Sequence, residues 1–473
     1  MQPPDLTRQG FATRYLTLFG GEAFSKLCVV AAFAYLARAL GPSDFGIIEL
    51  ALSLTVFFVL GVESGMGSYG ARLVAASPDR IPTLVPSIML LRACYGVPAY
   101  LIVLAVASHY RVSGLGILAL NGLTVLLTPF YLQWVFQGLR QMQWVAAGTA
   151  VRNLLFVVLV FSLIRPGSDI RLVAVAEVAG ATALATFNLV VLFRRLRARL
   201  HWREAPAGMR RIFGDVWYLG LGDLMWACLW YSPAIIMGWI AIAQPEEVAW
   251  IAAPVRIVIA LHTFVWLYFF NLLPDLARAI MSGVDDWRDL ATRSIGSSIW
   301  PACLIAVGGT TFAPILIPLI YGEAYAAAVP TFQIVIWMIP VTWYSGHARY
   351  SLLAAGLQRW EFLAAVATAI VTVLAALLLG RVFGSTGAAA GLLIGGLVNA
   401  VLAEIAMRTT IGPLPLRRNL QPVLIAAAAA LAAGLATTRA AGPWAGSVIA
   451  TLLFVALALR QRNDLVALVR RLR

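Results

Sequence analysis

This chain predicts an all-α, polytopic membrane protein with about fourteen transmembrane helices, and three observations predict it. Hydrophobic residues make up 61% of its 473 positions, charged residues only 12%, and mean hydropathy is +0.86, where a soluble globular chain carries roughly 25% charged residues. Apolar windows of about 20 residues, the length a helix needs to cross a hydrocarbon core of about 30 Å, recur along nearly the whole chain. Between them stand short turn-forming segments: "GPSD" at 41–44, "ASPDRIP" at 76–82, "RPGSD" at 165–169, "QPEE" at 244–247 and "TIGPLP" at 410–415. The expected spans lie near 14–38, 44–70, 83–108, 114–137, 144–164, 171–193, 212–240, 248–275, 294–320, 326–352, 361–381, 386–407, 421–438 and 443–460. No stretch remains for a large soluble domain.

Arginine placement sets the orientation, because short loops rich in Lys and Arg stay in the cytoplasm. With an inside N-terminus, the inner side collects Arg8, Arg14, Arg72, Arg80, Arg140, the run "RRLRARLHWREAPAGMRR" at 194–211, Arg278, Arg288, Arg293, Arg359, Arg408, Arg417, Arg418 and the tail. The outer side collects Arg38, Arg111, Arg165, Arg171, Arg381 and Arg439. Both termini are therefore expected in the cytoplasm, and the net charge of +14 reads as a topology signal with no need of a nucleic-acid partner. The first apolar run is longer than a signal-peptide core and no A-x-A-like site closes it, so it reads as a retained helix. Cys28, Cys94, Cys228 and Cys303 all fall within spans without CxxC spacing, and neither a disulfide framework nor a metal site is expected.

An internal repeat organises the chain. "VFQGLRQMQWVAAGTAVRNLLFVVLV" from Val135 matches "LAAGLQRWEFLAAVATAIVTVLAALL" from Leu353, with Gly138 opposite Gly356, and "ALGPSDFGIIELALSL" from Ala39 matches "AIAQPEEVAWIAAPVRI" from Ala241 less closely. Six helices separate equivalent points, and an even number keeps the copies in one orientation, as two parallel lobes related by an axis along the membrane normal. The expected organisation is an N-lobe at 1–193, a basic linker at 194–211, a C-lobe at 212–407, and two further helices with a basic tail at 408–473.

"LARALGPSDFGIIELALSL", the "QGLRQMQ" turn and its echo "AAGLQRWEF" resemble the bacterial polysaccharide-export flippases, the Wzx type within the multidrug/oligosaccharidyl-lipid/polysaccharide exporter superfamily, and the resemblance covers most of the chain. It implies a V-shaped pair of six-helix lobes. It further implies a transporter that flips an undecaprenyl-diphosphate-linked oligosaccharide from the cytoplasmic to the outer leaflet of the bacterial plasma membrane, by alternating access, for assembly of O-antigen, capsule or exopolysaccharide. Membrane lipid, the lipid-linked glycan, and polysaccharide polymerase and chain-length proteins are the implied partners. No cofactor is implied, although H⁺ or Na⁺ coupling is compatible with the family.

Charges inside the spans are the candidate site. A charge at the bilayer centre costs about 2.5–3.5 kcal/mol on insertion scales, so it faces a partner or a watery cavity. Glu22 and Lys26 lie at i and i+4 on one helix face and can neutralise each other. Arg92, Arg152 and Arg256 add cations in separate spans; Glu49, Glu63 and Asp223 add anions. A diphosphate crossing a low-dielectric core needs cations in place of its hydration, and arginine meets phosphate oxygens bidentately. The expected diphosphate ligands are Arg256, Lys26, Arg92 and Arg152, with cations in the first and eighth helices supported by the resemblance. Arg152 can also snorkel to the interface, and Arg349 and His347, nearer a helix end, are expected to do so. Asp223, Glu22 and Glu63 are the candidates for a coupling ion, with a salt bridge to arginine as the competing role. Glu177 and Glu404 lack distinguishing context. Trp226, Trp230, Tyr231 and Trp266 are candidates for stacking on sugar rings or for belt anchors. The Ala- and Gly-rich last two helices favour close packing, or by resemblance border a groove for the prenyl tail. Prolines within the spans permit bends.

Other classes fit less well. A membrane-embedded glycan polymerase would present a catalytic loop, and His109, His201, His262 and His347 are scattered without metal or triad spacing. A cation-coupled multidrug efflux antiporter of the same fold would favour an acidic cavity. A peptidoglycan-precursor flippase stays open as an alternative substrate class.

Overall fold

The computed structural model describes the backbone of residues 8–109, 115–241, 244–414 and 416–471, and the side chains within those ranges except at 8–26, 109, 115, 217–219, 416–418 and 462–471. All regular structure among them is helical, which bonds every backbone donor and acceptor within the segment, as chain in hydrocarbon requires unless it closes into a barrel.

The helices are α1 (Arg8–Glu63), α2 (Met66–Ala76), α3 (Ile81–His109), α4 (Leu115–Leu127), α5 (Gln133–Gly138), α6 (Met142–Leu163), α7 (Arg171–Val190) and α8 (Ala205–Ile240). They continue as α9 (Glu246–Ser282), α10 (Val284–Tyr321), α11 (Val329–Val335), α12 (Met338–Ala354), α13 (Gln358–Thr410), α14 (Leu416–Ala441) and α15 (Pro443–Arg471). Among the described residues eleven helical stretches are long and apolar enough to cross a membrane, or twelve when the two parts of α8, bent by 57°, count as one.

Two of these stretches run to 50 and 53 residues, about 75 Å or more at 1.5 Å per residue, over twice the hydrocarbon thickness. Each is broken by a glycine outside helical geometry, Gly41 (φ 79°) in α1 and Gly384 (φ 58°) in α13. Reading each as two brings the count among the described residues to thirteen, or to fourteen with α8 taken as one span.

Both breaks have local causes. Pro42 follows Gly41 and cannot donate to the helix. At Gly384 the new helix start is capped from another element: the Ser385 amide donates to Glu247 Oε2 at 2.6 Å, and a Cβ on Gly384 would come within 2.7 Å of that oxygen.

The chain divides into two compact units, Met1–Ala227 and Cys228–Arg473, the boundary falling within α8. In the first, Trp134, Phe136, Met66, Ile88 and Val216 share a buried core. The basic segment expected as a linker is docked on it: Leu196, Ala198 and Leu200 pack against this core, and the His201 amide donates to Pro82 O at 2.8 Å. In the second, Trp287 and Phe454 anchor a core shared by α9, α10, α12, α13, α14 and α15. Trp287 Nε1 donates to Ser351 Oγ at 2.9 Å, and Ser447 of α15 donates to Thr311 O of α10 at 2.8 Å.

The repeat is visible as one hydrogen-bond pattern written twice. After α5, Gln141 N donates to Phe136 O (2.8 Å) and Trp144 N to Gln141 O (3.1 Å); after α12, Leu357 N donates to Leu352 O (2.8 Å) and Trp360 N to Leu357 O (3.1 Å). The residue in left-handed conformation is Arg140 (φ 57°) in the first copy and Gly356 (φ 74°) in the second. The structural partner of Gly356 is therefore Arg140, two positions from the expected Gly138. Gly138 serves helix packing instead, because a Cβ there would sit 2.7 Å from Ala71 O and its absence lets α5 lie against α2.

A Cβ at Gly356 would meet nothing within 4 Å, so Gly356→Ala tests backbone strain alone. It is expected to lower unfolding stability by about 1 kcal/mol, read as a reduced thermal midpoint of the purified protein.

Candidate functional site

The charged residues expected to face a transport pathway fall into distinct environments. The side chains of Glu22 and Lys26 lie outside the described residues. Arg256 is partly buried on α9, two residues beyond Pro254, and Asp223 is exposed on α8. Close to Asp223, Gly220 meets another backbone as its small size allows: a Cβ there would come within 2.4 Å of Ser64 Cα.

Arg92 is wholly buried, 0% exposed, and every partner it has comes from a helix break. Ser64 and Gly65, both at positive φ, end α1 after Glu63, while the 3₁₀ turn at Thr128–Phe130 separates α4 from α5 and frees carbonyls inside the unit. Arg92 Nη2 donates to Glu63 Oε1 at 3.1 Å, and Nη1 donates to Tyr131 O at 2.9 Å and Thr128 O at 3.3 Å. A planar guanidinium with five donors can hold such a divergent set where lysine could not. Gly67 makes room, since a Cβ there would sit 2.7 Å from the same Glu63 oxygen. Two expected site residues are thus each other's partners, and in this conformation Arg92 has no surface to offer a ligand.

Arg152 pairs with Glu177 across α6 and α7 at 3.4 Å, with 37% of the arginine side chain still exposed. Gly180 brings the two helices together, its missing Cβ lying 3.0 Å from Arg152 O.

In the second unit, His347 and Arg349 depart from the expected snorkelling. His347 is 1% exposed, with Nδ1 2.9 Å from Trp343 O and Nε2 2.8 Å from Ser294 Oγ, which in turn lies 2.5 Å from Tyr268 Oη. A main-chain carbonyl can only accept, so Nδ1 carries the proton and Nε2 accepts from Ser294. Arg349 is claimed by Glu361, which the α12–α13 turn brings within 2.6 Å. Both groups find protein partners before they reach the interface.

The aromatic candidates lie on α8 and α9. Trp230 packs on His262 with ring centroids 5.0 Å apart, and Trp266, 52% exposed, stacks on Phe270 at 5.4 Å. Trp226 and Tyr231 are partly buried.

Residue spacing did not single out an apolar cavity of about 590 Å³ among α10, α12, α13 and α14, lined by Trp337, Val341, Leu397, Leu420 and Leu424. Its polar end is Glu404, which accepts from Tyr344 Oη at 3.0 Å and from Arg408 Nε at 2.6 Å. The i, i+4 spacing of Glu404 and Arg408 was the legible trace. No group of three or more metal-ligating side chains occurs among the described residues.

Many long apolar helices in two compact units, with charges held inside them, define a multi-pass membrane protein. Solved structures agree. A structure titled "Lipid II flippase MurJ, inward closed conformation" superposes with a TM-score of 0.76 at 10% identity, over 95% of this chain and 100% of that one. A multidrug resistance MATE family transporter of the MOP superfamily, inward-facing, superposes with a TM-score of 0.67 at 14% identity, over 82% and 94%. At such identities the likeness shows the fold. The chain belongs to the polysaccharide biosynthesis protein family, whose model matches residues 15–280. Over 190 residues it is 25% identical to a protein of Escherichia coli (strain K12) provisionally named an O-antigen transporter, a match spanning 36% of this chain and 43% of that protein.

Removing Arg92 strands the carbonyls of Thr128 and Tyr131, whereas Glu63, 39% exposed, can hydrate, so Arg92→Leu is expected to cost about 3 kcal/mol through the carbonyls. Glu63→Gln keeps an acceptor for Nη2 but leaves the wholly buried Arg92 guanidinium without its counter-charge, so it too is expected to cost about 3 kcal/mol. Denaturant titration of both purified variants measures the losses.

Proposed function

We propose that this protein flips an undecaprenyl-diphosphate-linked oligosaccharide from the cytoplasmic to the outer leaflet of the bacterial inner membrane, supplying surface polysaccharide assembly. The match to the polysaccharide biosynthesis protein family over more than half of the chain carries this reading. Cations inside the spans agree with it, since a diphosphate is the part of such a substrate that hydrocarbon rejects most strongly.

In this mechanism Arg256 and Lys26 bind the diphosphate, with Arg152 joining when its pairing to Glu177 loosens. Arg92 braces the broken helices rather than touching substrate. Alternating access exposes the bound diphosphate first to one leaflet and then to the other. Asp223 is the leading coupling carboxylate for H⁺ or Na⁺, followed by Glu22 and Glu63. The prenyl tail follows the apolar cavity that ends at Glu404, and Trp226, Tyr231 and Trp266 offer ring faces to sugars. Polymerase and chain-length proteins act on the flipped product.

Complementation of a flippase-deleted bacterium tests the reading. Wild type is expected to restore surface polysaccharide, while Arg256→Ala and Lys26→Ala, at matched membrane expression, lose about tenfold or more, the loss expected for a charge-assisted contact. Wild-type-like activity of both variants overturns the diphosphate assignment. Rescue of a strain lacking its peptidoglycan-precursor flippase instead identifies the other substrate class.

A further inference from the structure

Between α7 and α8 the chain presents a comb of arginines. After a π-helical turn at Val191–Arg195, residues 196–201 are non-helical and held down by three backbone bonds: Leu196 N to Val191 O, Ala198 N to Leu192 O and His201 N to Pro82 O. Leu196, Ala198 and Leu200 turn into the core of the first unit; Arg195, Arg197, Arg199 and, one turn on, Arg203 are exposed. Leu196 (φ −84°, ψ −12°) and Arg197 (φ 49°) end the helix in a left-handed turn that reverses which side chains face the core. Arg195 lies 5.9 Å from the centroid of Trp144, which leaves Arg197, Arg199 and Arg203 as the outward row.

Trp202 of the same segment lines an apolar slot of about 230 Å³ together with Met89, Ala93, Val97, Pro129 and Phe130. Trp202 joins the two features, since it lines the slot and sits between Arg199 and Arg203 in sequence. The slot opens on an apolar helix surface: Val97, Leu101 and Ile102 of α3 are 54%, 59% and 52% exposed. In a membrane-spanning chain such a surface belongs against hydrocarbon.

We propose that this slot and arginine row bind an anionic phospholipid, with an acyl chain against Trp202 and Ala93 and the headgroup phosphate on Arg197, Arg199 and Arg203. An apolar slot joined through Trp202 to an exposed cationic segment is complementary to an anionic amphiphile, and basic segments at the cytoplasmic surface attract anionic lipid at about fivefold in partition per residue. The assignment rests on the topology in which this arginine-rich end faces the cytoplasmic leaflet. A bulk phospholipid fits better than the glycan-bearing substrate, because the lining side chains are apolar apart from the Trp202 indole N–H, too little to satisfy the many hydroxyls of a glycan. By this site the docked segment ties the first unit to the leaflet.

Native mass spectrometry of the full chain, released from vesicles of equal parts phosphatidylglycerol and phosphatidylcholine, tests it. Wild type is expected to retain phosphatidylglycerol preferentially. The triple variant Arg197→Gln, Arg199→Gln, Arg203→Gln is expected to lose that preference by more than about tenfold, and Ala93→Phe, which fills the slot but keeps the charge, to lose it as well. Equal retention of the two lipids by wild type, or an unchanged preference in the triple variant, overturns the proposal. Displacement of phosphatidylglycerol by undecaprenyl diphosphate would give the slot to the substrate and overturns it too. Arg256→Ala is expected to keep the lipid preference, so a failed lipid site and a failed transport mechanism give different results.

Discussion

The structure depends on one constraint: inside a membrane each backbone amide and carbonyl must be bonded without water. Unbroken helices meet it automatically, and the breaks leave groups that side chains must satisfy. Arg92 takes the carbonyls of Thr128 and Tyr131 where α4 gives way to α5. Glu247 takes the amide of Ser385 where α13 restarts. At the end of α6, Tyr35 Oη donates to Ile164 O at 2.7 Å and Arg165 Nη1 donates to Phe161 O at 2.8 Å. Several charges in this apolar chain thus serve its backbone, which explains why charge within a span is a broader signal than a transport pathway.

The two copies of the repeat solve the same turn with different residues. A left-handed residue must follow α5 and α12 for the helix-ending bonds to close. Gly356 accepts that conformation without a Cβ penalty, and Arg140 accepts it with strain. Aligning the copies by their glycines is for this reason off by two positions, while aligning them by Trp144 and Trp360 keeps every turn bond in register. Glycine marked close helix approach in one copy and a turn in the other, and sequence similarity weighs the two uses alike.

The legibility of the site follows the range of the interactions. Pairings set by helix periodicity were open to inspection, as with Glu404 and Arg408. Pairings that cross between helices were not: Glu63 with Arg92, Glu177 with Arg152 and Glu361 with Arg349 all depend on which helix faces which. The cavity ending at Glu404 needs four helices to exist at all.

The sequence by itself determined the membrane class, the helical architecture, the positions of the main turns and the doubled plan, because these depend on apolar length, glycine and proline chemistry, and local similarity. Tertiary structure alone decided that Arg92 is a brace, that His347 is sealed against Ser294, and that the basic segment at 194–211 lies docked on the first unit. The physical reason is the same in each case. A buried polar group takes whatever partner packing brings within about 3 Å, and that partner is chosen by helices distant in sequence.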